Sequence, residues 1–224
     1  MNNTTFLSHF LSARTPSYGN RDKFIVKSKS DINHGDTANT SKWTFTNNHL
    51  GTHIDLPRHF CKHGFTYEDY RPEDFVFTNV ILVDFPCDSG ILISKNELGS
   101  KLEVLSNDST ELLIIRTSYE KYRKTDKYWN DNPGLHYELA DYFRKIFPNI
   151  RAVGFDFISI TSWNYRQEGR LSHKAFLCPE NNQPIWIIED MSLLEVNYEL
   201  NKVVIAPLLI ENSNGGPVSI LAFQ

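Results

Sequence analysis

The chain contains 224 residues, of which 40% are apolar and 22% charged, a composition typical of a globular protein with a substantial core. Its formal net charge of −4 offers no basic surface for nucleic acid, and its longest apolar runs, such as residues 203–210, are too short to cross a membrane. We therefore expect one folded domain over residues 1–224 that binds neither nucleic acid nor a lipid bilayer.

The cysteines and the amino terminus bear on the location of the protein. Cys61, Cys87 and Cys178 are odd in number and lack Cys-x-x-Cys spacing, which predicts a reducing compartment and no disulfide framework. The first five residues, Met-Asn-Asn-Thr-Thr, contain no cationic region before an apolar core, so no secretory signal is visible. These features predict a cytoplasmic protein.

The first 46 residues predict short extended pieces separated by turns. Apolar residues cluster at 24–26 and at 43–45, and residues 31–41 between them have the Gly, Asn, Asp and Ser content of a loop. Tyr18 follows Pro16 in an early turn. Its aromatic ring is either an ordinary surface group or one wall of a ligand site.

The stretch from Asn47 to Phe60 has the pattern of a strand with one polar face. His49, His53, Asp55 and His59 all occupy odd-numbered positions, while aliphatic residues occupy positions 50, 54 and 56. Alternate side chains of a strand point to opposite faces, so three imidazoles and a carboxylate would share one face. Burying so many polar groups without partners costs several kcal/mol, which favours a metal or catalytic site over an ordinary core strand.

A straight strand cannot bring these four side chains to one ion. At ~3.3 Å per residue, His49 and His59 would lie roughly 33 Å apart. Gly51 and Pro57 are residue types that mark bulges and strand ends, so we expect the chain to bend at both. A kinked strand would then deliver a metal cluster and one further imidazole.

The rest of the chain predicts strands alternating with helices. Strands are expected at residues 79–85, 111–116, 151–160 and 184–188, and a Ser94-x-x-Glu97 capping box begins a helix that ends near Leu105. Apolar residues recur at helical spacing from 135 to 146. Residues 119–133 are the most polar stretch and predict a solvated loop, with a lid or a subunit contact as the alternative. Together these elements predict an α/β fold with a mixed sheet flanked by helices.

Two downstream residues are candidates to complete a metal site. His173 follows a polar stretch at 165–170, which we interpret as a turn, and precedes the apolar residues 175–177. Glu189 directly follows the apolar strand at 184–188, where functional groups often emerge from a sheet. Taken alone, each is an ordinary polar residue.

The pattern His-x-Gly-Thr-His-x-Asp-x-Pro-x-His-Phe resembles the signature of the metal-dependent cyclase family, which includes the bacterial kynurenine formamidases. The resemblance continues along most of the chain, in the segments 7–9, 15–18, 113–117, 133–135, 152–156, 187–191 and 216–218. Residues 179–183 look like an insertion relative to common members of the family.

The resemblance implies a fold of the swivelling β/β/α type and a centre with two metal ions. It implies that His49, His53 and Asp55 bind one ion, that His173 binds the second, and that Asp55 and Glu189 bridge the two. His59 is then the unligated general acid/base, and Tyr18 stacks on the substrate. Mixed nitrogen and oxygen donors without a thiolate suit Zn²⁺, with Mn²⁺ as an alternative.

The activity implied is hydrolysis of an amide carbon–nitrogen bond by metal-activated water, as in an aryl formamide such as N-formylkynurenine or a small cyclic amide. Cyclisation, or opening of a lactone or cyclic imide, is an alternative on the same centre. A metal-stabilised binding protein without turnover is another. The family resemblance also implies a homodimer or homotetramer, and we expect the aromatic segments around Tyr18 and at 119–129 to lie at the subunit boundary.

Overall fold

The computed structural model describes residues 4–224, so the prediction drawn from the polar amino terminus lies partly outside the described residues. The strands are β1 Thr4–Phe6, β2 Phe24–Ser30, β3 Thr40–Phe45, β4 His53–Asp55, β5 Val76–Phe77, β6 Val80–Asp84, β7 Leu92–Ile93, β8 Leu112–Arg116, β9 Gly134–Leu135, β10 Ala152–Phe155, β11 Trp186–Glu189, β12 Lys202–Pro207 and β13 Gly215–Phe223. The α-helices are α1 Lys95–Val104, α2 Lys127–Asn130, α3 Glu138–Ile146 and α4 Arg166–Leu177.

The main sheet is half parallel and half antiparallel. Its strand order is β5-β12-β13-β4-β11-β10-β8-β6, and β1 pairs with β13 in addition. Strands β6, β8, β10 and β11 run parallel to one another, whereas β4 is antiparallel to both β11 and β13. The predicted mixed sheet is confirmed, and β4 lies at the junction of its two halves.

The parallel half of the sheet lies between two hydrophobic cores. Alternate side chains of β8 point into opposite cores. Leu113 and Ile115 pack with residues of α1, α3 and α4 in one core. Leu112 and Ile114 point the other way, into a core that also contains residues of β12 and β13. The layers are therefore antiparallel strands, parallel strands and helices, which agrees with the expected β/β/α arrangement.

The predicted helices are present with shifted boundaries. Ser94 caps α1, and its side chain and that of Glu97 form the reciprocal capping box. Helix α3 begins at Glu138 rather than at Leu135, because Leu135 pairs with Ile93 in the small β7–β9 sheet. The predicted turn at 165–170 is wrong, since the chain is already helical from Arg166, the first residue of α4.

Residues 119–133 do not form the solvated loop that their polarity predicts. Tyr119 and Tyr128 are fully buried. Arg123 forms a bidentate ion pair with buried Asp190, through Nε–Oδ1 and Nη2–Oδ2 distances of 2.8 and 2.7 Å, and the Tyr128 hydroxyl donates to the same carboxylate. Part of the segment therefore enters the protein: two of its aromatic rings lie in the core and Arg123 turns inward to Asp190, while Lys121 stays exposed. Composition alone does not reveal this division.

The prediction that the cysteines form no disulfide framework is also wrong, because one disulfide is present. Cys61 and Cys178 form a disulfide, while Cys87 is free. The two paired residues are 117 positions apart, which is why their pairing is invisible in the sequence. The cytoplasmic location, argued partly from these cysteines, stays a prediction. Within residues 4–224, none of the helices has the length and apolar character that a membrane span requires.

Candidate metal centre

The predicted bends in the 47–60 stretch are both present. Only His53–Asp55 is a strand, and Gly51 before it adopts a φ of +70°, a conformation natural for glycine. After it, Pro57–His59 forms a 3₁₀ turn with the proline at its start. These bends bring the rings of His49 and His59 to a centroid separation of 4.0 Å, although the two residues are ten positions apart in the chain.

Strand pairing and one helix bring the downstream candidates to the same place. Glu189 on β11 lies directly opposite His53 on β4, and His53 Nε2 is 3.3 Å from Glu189 Oε2. Asp55 Oδ1 lies 3.5 Å from His53 Nε2. Helix α4 supplies His173, whose Nε2 lies 3.5 Å from Asp55 Oδ2 and 3.9 Å from Glu189 Oε1. All the predicted ligand side chains thus converge on the two carboxylates.

Backbone carbonyls fix the orientation of two of the imidazoles. His53 donates from Nδ1 to the Gly51 carbonyl at 2.8 Å, and His173 donates from Nδ1 to the Gly169 carbonyl at 2.9 Å. Each ring therefore directs its other nitrogen, Nε2, toward the carboxylates. This is the usual outer support of a metal-binding histidine, because the backbone bond sets both tautomer and ring direction.

The two carboxylates fit a cation. Asp55 is 1% exposed and its Oδ2 has no hydrogen-bond partner among residues 4–224. Glu189 accepts from the Ile160 N–H at 2.7 Å and from the Ser159 hydroxyl at 3.3 Å. Burial opposes ionisation of Asp55, but the neighbouring imidazoles of His59, His49 and His173 hold its pKa well below the usual range. A buried anion with a free oxygen, faced by imidazole nitrogens, is a donor set suited to a divalent metal ion.

The pKa values of His53 and His59 shift in opposite directions, because burial outweighs the carboxylates only at His59. Burial lowers the pKa of His53, but Glu189 and Asp55 outweigh it and raise that pKa to about 9. Burial also dominates at His59, where it lowers the pKa to about 4 and keeps the ring neutral. Without a cation, protonated histidine is thus the charge that balances the carboxylates.

His59 also lies close enough to these residues to share a metal ion with them. Donor atoms of His49, Asp55 and His59 lie within 4.8 Å of one another, and so do those of His53, Asp55 and Glu189. Asp55 belongs to both groups. The His59 ring differs from those of His53 and His173, because the hydrogen bonds formed within the described chain include none to its nitrogens. Both a ligand and a proton carrier are compatible with this position.

A cavity of about 440 Å³ opens over the cluster. Tyr18 lines it as predicted, and Phe60 stacks on His173 at a centroid distance of 4.4 Å and an interplanar angle of 13°. Arg166 and Arg170, which no sequence pattern singled out, also line this cavity. The steps of four residues from Arg166 to Arg170 and three from Arg170 to His173 place them on one face, but only once the segment is known to be helical.

Comparisons with known proteins identify a family and relatives with similar sequences. The model of the Cyclase family ("Putative cyclase") matches residues 6–162, a range that includes the motif but ends before His173 and Glu189. An "Uncharacterized protein" of Haemophilus influenzae is 31% identical over 112 residues, which cover 49% of this chain and 78% of that protein. Kynurenine formamidase of Bacillus cereus is 28% identical over 174 residues, covering 76% of this chain and 73% of that protein.

A solved structure extends the similarity to the whole fold. Isatin hydrolase A from Ralstonia solanacearum superposes with a TM-score of 0.78 over 99% of this chain and 92% of that one, at 17% sequence identity. At 17% identity this similarity shows a shared fold only. The superposed region includes the part of the chain that carries His173 and Glu189.

Proposed function

The chain belongs to the Cyclase family, and on that basis we propose that it is a metal-dependent hydrolase of an amide carbon–nitrogen bond, with an aryl formamide as the preferred substrate. The observation that carries the proposal is the convergence of two buried carboxylates and four imidazoles on one open cavity. The named relative from Bacillus cereus is a kynurenine formamidase, which makes N-formylkynurenine the first compound to assay. A small-molecule substrate is consistent with a cavity of about 440 Å³.

We assign the ligands as the family resemblance implies. His49, His53 and Asp55 would hold one ion, and His173 the second, with Asp55 and Glu189 shared between them. Support comes from Asp55, which lies within reach of His49, His53 and His173 at once. Zn²⁺ is the proposed metal and Mn²⁺ the alternative, because all the donors are nitrogen or oxygen. When bound, such an ion acidifies water and polarises a carbonyl group.

The other residues of the cavity would position the substrate and move the proton. His59, which lies beside His49 and Asp55 and whose ring is fixed by no hydrogen bond within residues 4–224, would accept a proton from water and return it to the leaving nitrogen. Tyr18 and Phe60 would contact the aryl group. The Tyr18 hydroxyl is buried without a partner in the described chain, so it is free to donate to the substrate.

The proposal is tested by metal analysis together with a substrate panel. Protein purified without chelator should contain more than one ion per chain and should hydrolyse N-formylkynurenine faster than cyclic imides or lactones. Asp55→Ala should lose both metal and activity, since its carboxylate touches both groups of donors. A metal-loaded protein that hydrolyses no amide would overturn the proposal, and faster opening of cyclic imides or lactones would favour the alternative activity.

A further inference from the structure

Three arginine side chains surround the opening of the site cavity: Arg21, Arg166 and Arg170. The chain contains ten arginines. Those that form ion pairs within residues 4–224 are Arg71, Arg116, Arg123, Arg144 and Arg151. Three of the remaining arginines therefore meet at a single opening, and their charge is available to a ligand.

Arg166 is held in place by aromatic rings rather than by a carboxylate. Its guanidinium carbon lies 4.2 Å from the ring centroid of Trp163 and 5.9 Å from that of Tyr18, and these two rings are themselves 5.2 Å apart. Stacking on aromatic faces orients a guanidinium while leaving the N–H groups at its edge able to donate. Arg166 is thus positioned in advance for a planar anion.

Helix α4 connects these arginines to the metal centre. Arg166, Arg170 and His173 are spaced by four and three residues, so they lie on one face of the helix. The rise from Arg166 to His173 is about 10 Å at 1.5 Å per residue. One helical face therefore carries cationic groups at the opening and a metal-ligand candidate at the base.

The base and the rim of the cavity carry opposite charges. Asp55 and Glu189 lie at the base, where a cation is expected, and the arginines lie at the rim. Asp22 also lines the cavity, but its carboxylate accepts hydrogen bonds from the Thr46 hydroxyl and the Asn47 amide rather than from an arginine. The rim thus keeps a positive character beside the aromatic wall.

We propose that the substrate carries a carboxylate, which Arg166 and Arg170 bind at the rim while its amide group lies at the metal centre. This inference rests on the proposed function and refines its substrate to an acidic aryl amide. The forked guanidinium matches a planar carboxylate through two parallel hydrogen bonds, and the neighbouring Tyr18 ring suits the aryl part of the same molecule.

The experiment compares two formamides that differ only in the acid group. The metal-loaded enzyme should show a higher kcat/KM for 4-formamidobenzoate, whose carboxylate lies at the opposite end of the ring from the formamide, than for formanilide. The difference should lie in KM. Arg166→Gln and Arg170→Gln should each reduce this preference about tenfold, the order expected for a charge-assisted hydrogen bond at a partly exposed site. Arg14→Gln is the matched control, because Arg14 also forms no ion pair within residues 4–224 but lies outside this cavity.

Binding of the product acid gives a readout that needs no turnover. By calorimetry, 4-aminobenzoate should bind the wild-type enzyme more tightly than aniline, and Arg166→Gln should weaken 4-aminobenzoate binding about tenfold while Arg14→Gln does not. Equal kcat/KM for the two formamides, or unchanged 4-aminobenzoate binding in Arg166→Gln, would overturn the carboxylate proposal while leaving a hydrolase. If neither these formamides nor N-formylkynurenine is hydrolysed, the proposed function fails, and the 4-aminobenzoate titration still decides whether the arginines bind a carboxylate.

Discussion

His59 shows how a local bend changes the chemistry open to one side chain. The residue shares the odd-numbered positions of the ligand candidates, but it lies in the 3₁₀ turn that begins at Pro57 rather than in β4. The centroid of its ring lies 4.0 Å from the centroid of the His49 ring and 5.7 Å from that of the His173 ring. It is therefore close to the cluster without the backbone support that orients His53 and His173.

We expect His59→Ala to separate catalysis from metal binding. If His59 carries protons, the variant should keep its metal while turnover falls by ~10²–10⁴, the usual contribution of a general acid/base. Elemental analysis and kcat for N-formylkynurenine are measured on the same preparation, with His53→Ala as the comparison that should lose metal and activity together. Loss of metal in parallel with activity in His59→Ala would identify a ligand, and unchanged turnover would remove His59 from the mechanism.

At the scale of single residues, the sequence was most informative where the spacing is short. His49, His53, Asp55 and His59 stand within eleven positions, so parity and the two breaking residues, Gly51 and Pro57, were enough to predict their convergence. His173 and Glu189 could be assigned as ligands only through the family resemblance. Their proximity to His53 depends on the packing of α4 and on the register of β11 against β4, which no local pattern contains.

At the scale of elements, residues 119–133 act as an anchor for the end of β11. Asp190 follows Glu189 directly and has a φ of +55°, a conformation uncommon for a residue other than glycine. Arg123 and Tyr128 bind its carboxylate, so this polar segment fixes the chain immediately after a proposed metal ligand. The charge content of residues 119–133 predicted solvent exposure. The sequence does not reveal the buried partner, because Asp190 lies 67 positions from Arg123.

We expect Arg123→Leu to destabilise the protein by about 3–5 kcal/mol, since it leaves the Asp190 carboxylate buried without its cationic partner. The free energy of unfolding, measured by urea denaturation, checks this value. Lys121→Met is the matched control in the same segment, because Lys121 and its partner Asp88 are 44% and 72% exposed and their ion pair is screened by water. Equal stability of Arg123→Leu and the control would show that the buried pair does not support the fold.

At the scale of the whole molecule, the sequence predicted the class of fold but not its layering. Helical spacing and apolar strands correctly indicated an α/β protein with a mixed sheet. The folding of the antiparallel half over the parallel half depends on long-range pairs such as β13 with β4. Such pairs are set by burial over the whole chain, so they cannot be read from local periodicity.

The two-stranded hairpin β2–β3 forms a small sheet of its own, separate from the main sheet. Its facing residues include Phe24 with Phe45 and Val26 with Trp43, yet most of its side chains are exposed. Isolated two-stranded hairpins are marginally stable in water. The expected subunit boundary at residues 119–129 is less suitable, because Tyr119 and Tyr128 are already buried within the chain.

We define the hairpin face as the exposed apolar side chains of Phe6, Phe10, Val26, Trp43 and Leu208. Phe10 is 90% exposed and Trp43 is 66% exposed, and together with a groove of about 660 Å³ they form a continuous apolar surface. Apolar patches of this kind usually mark interfaces between proteins. A second copy of the chain, packed hairpin face to hairpin face, would cover both exposed hairpins at once.

We therefore expect the chain to form a homodimer through the hairpin face, and tetramers to form by further assembly of such dimers. Light scattering should give at least twice the chain mass of 25.9 kDa, and Trp43→Lys should shift the protein toward the monomer by placing two charges at a two-fold interface. Val104→Lys is the control, because Val104 is 86% exposed at the end of α1, away from the hairpin face, where a lysine also suits the helix terminus. A monomeric wild type would contradict the assembly, and a Trp43→Lys protein that remains dimeric would place the interface on another surface.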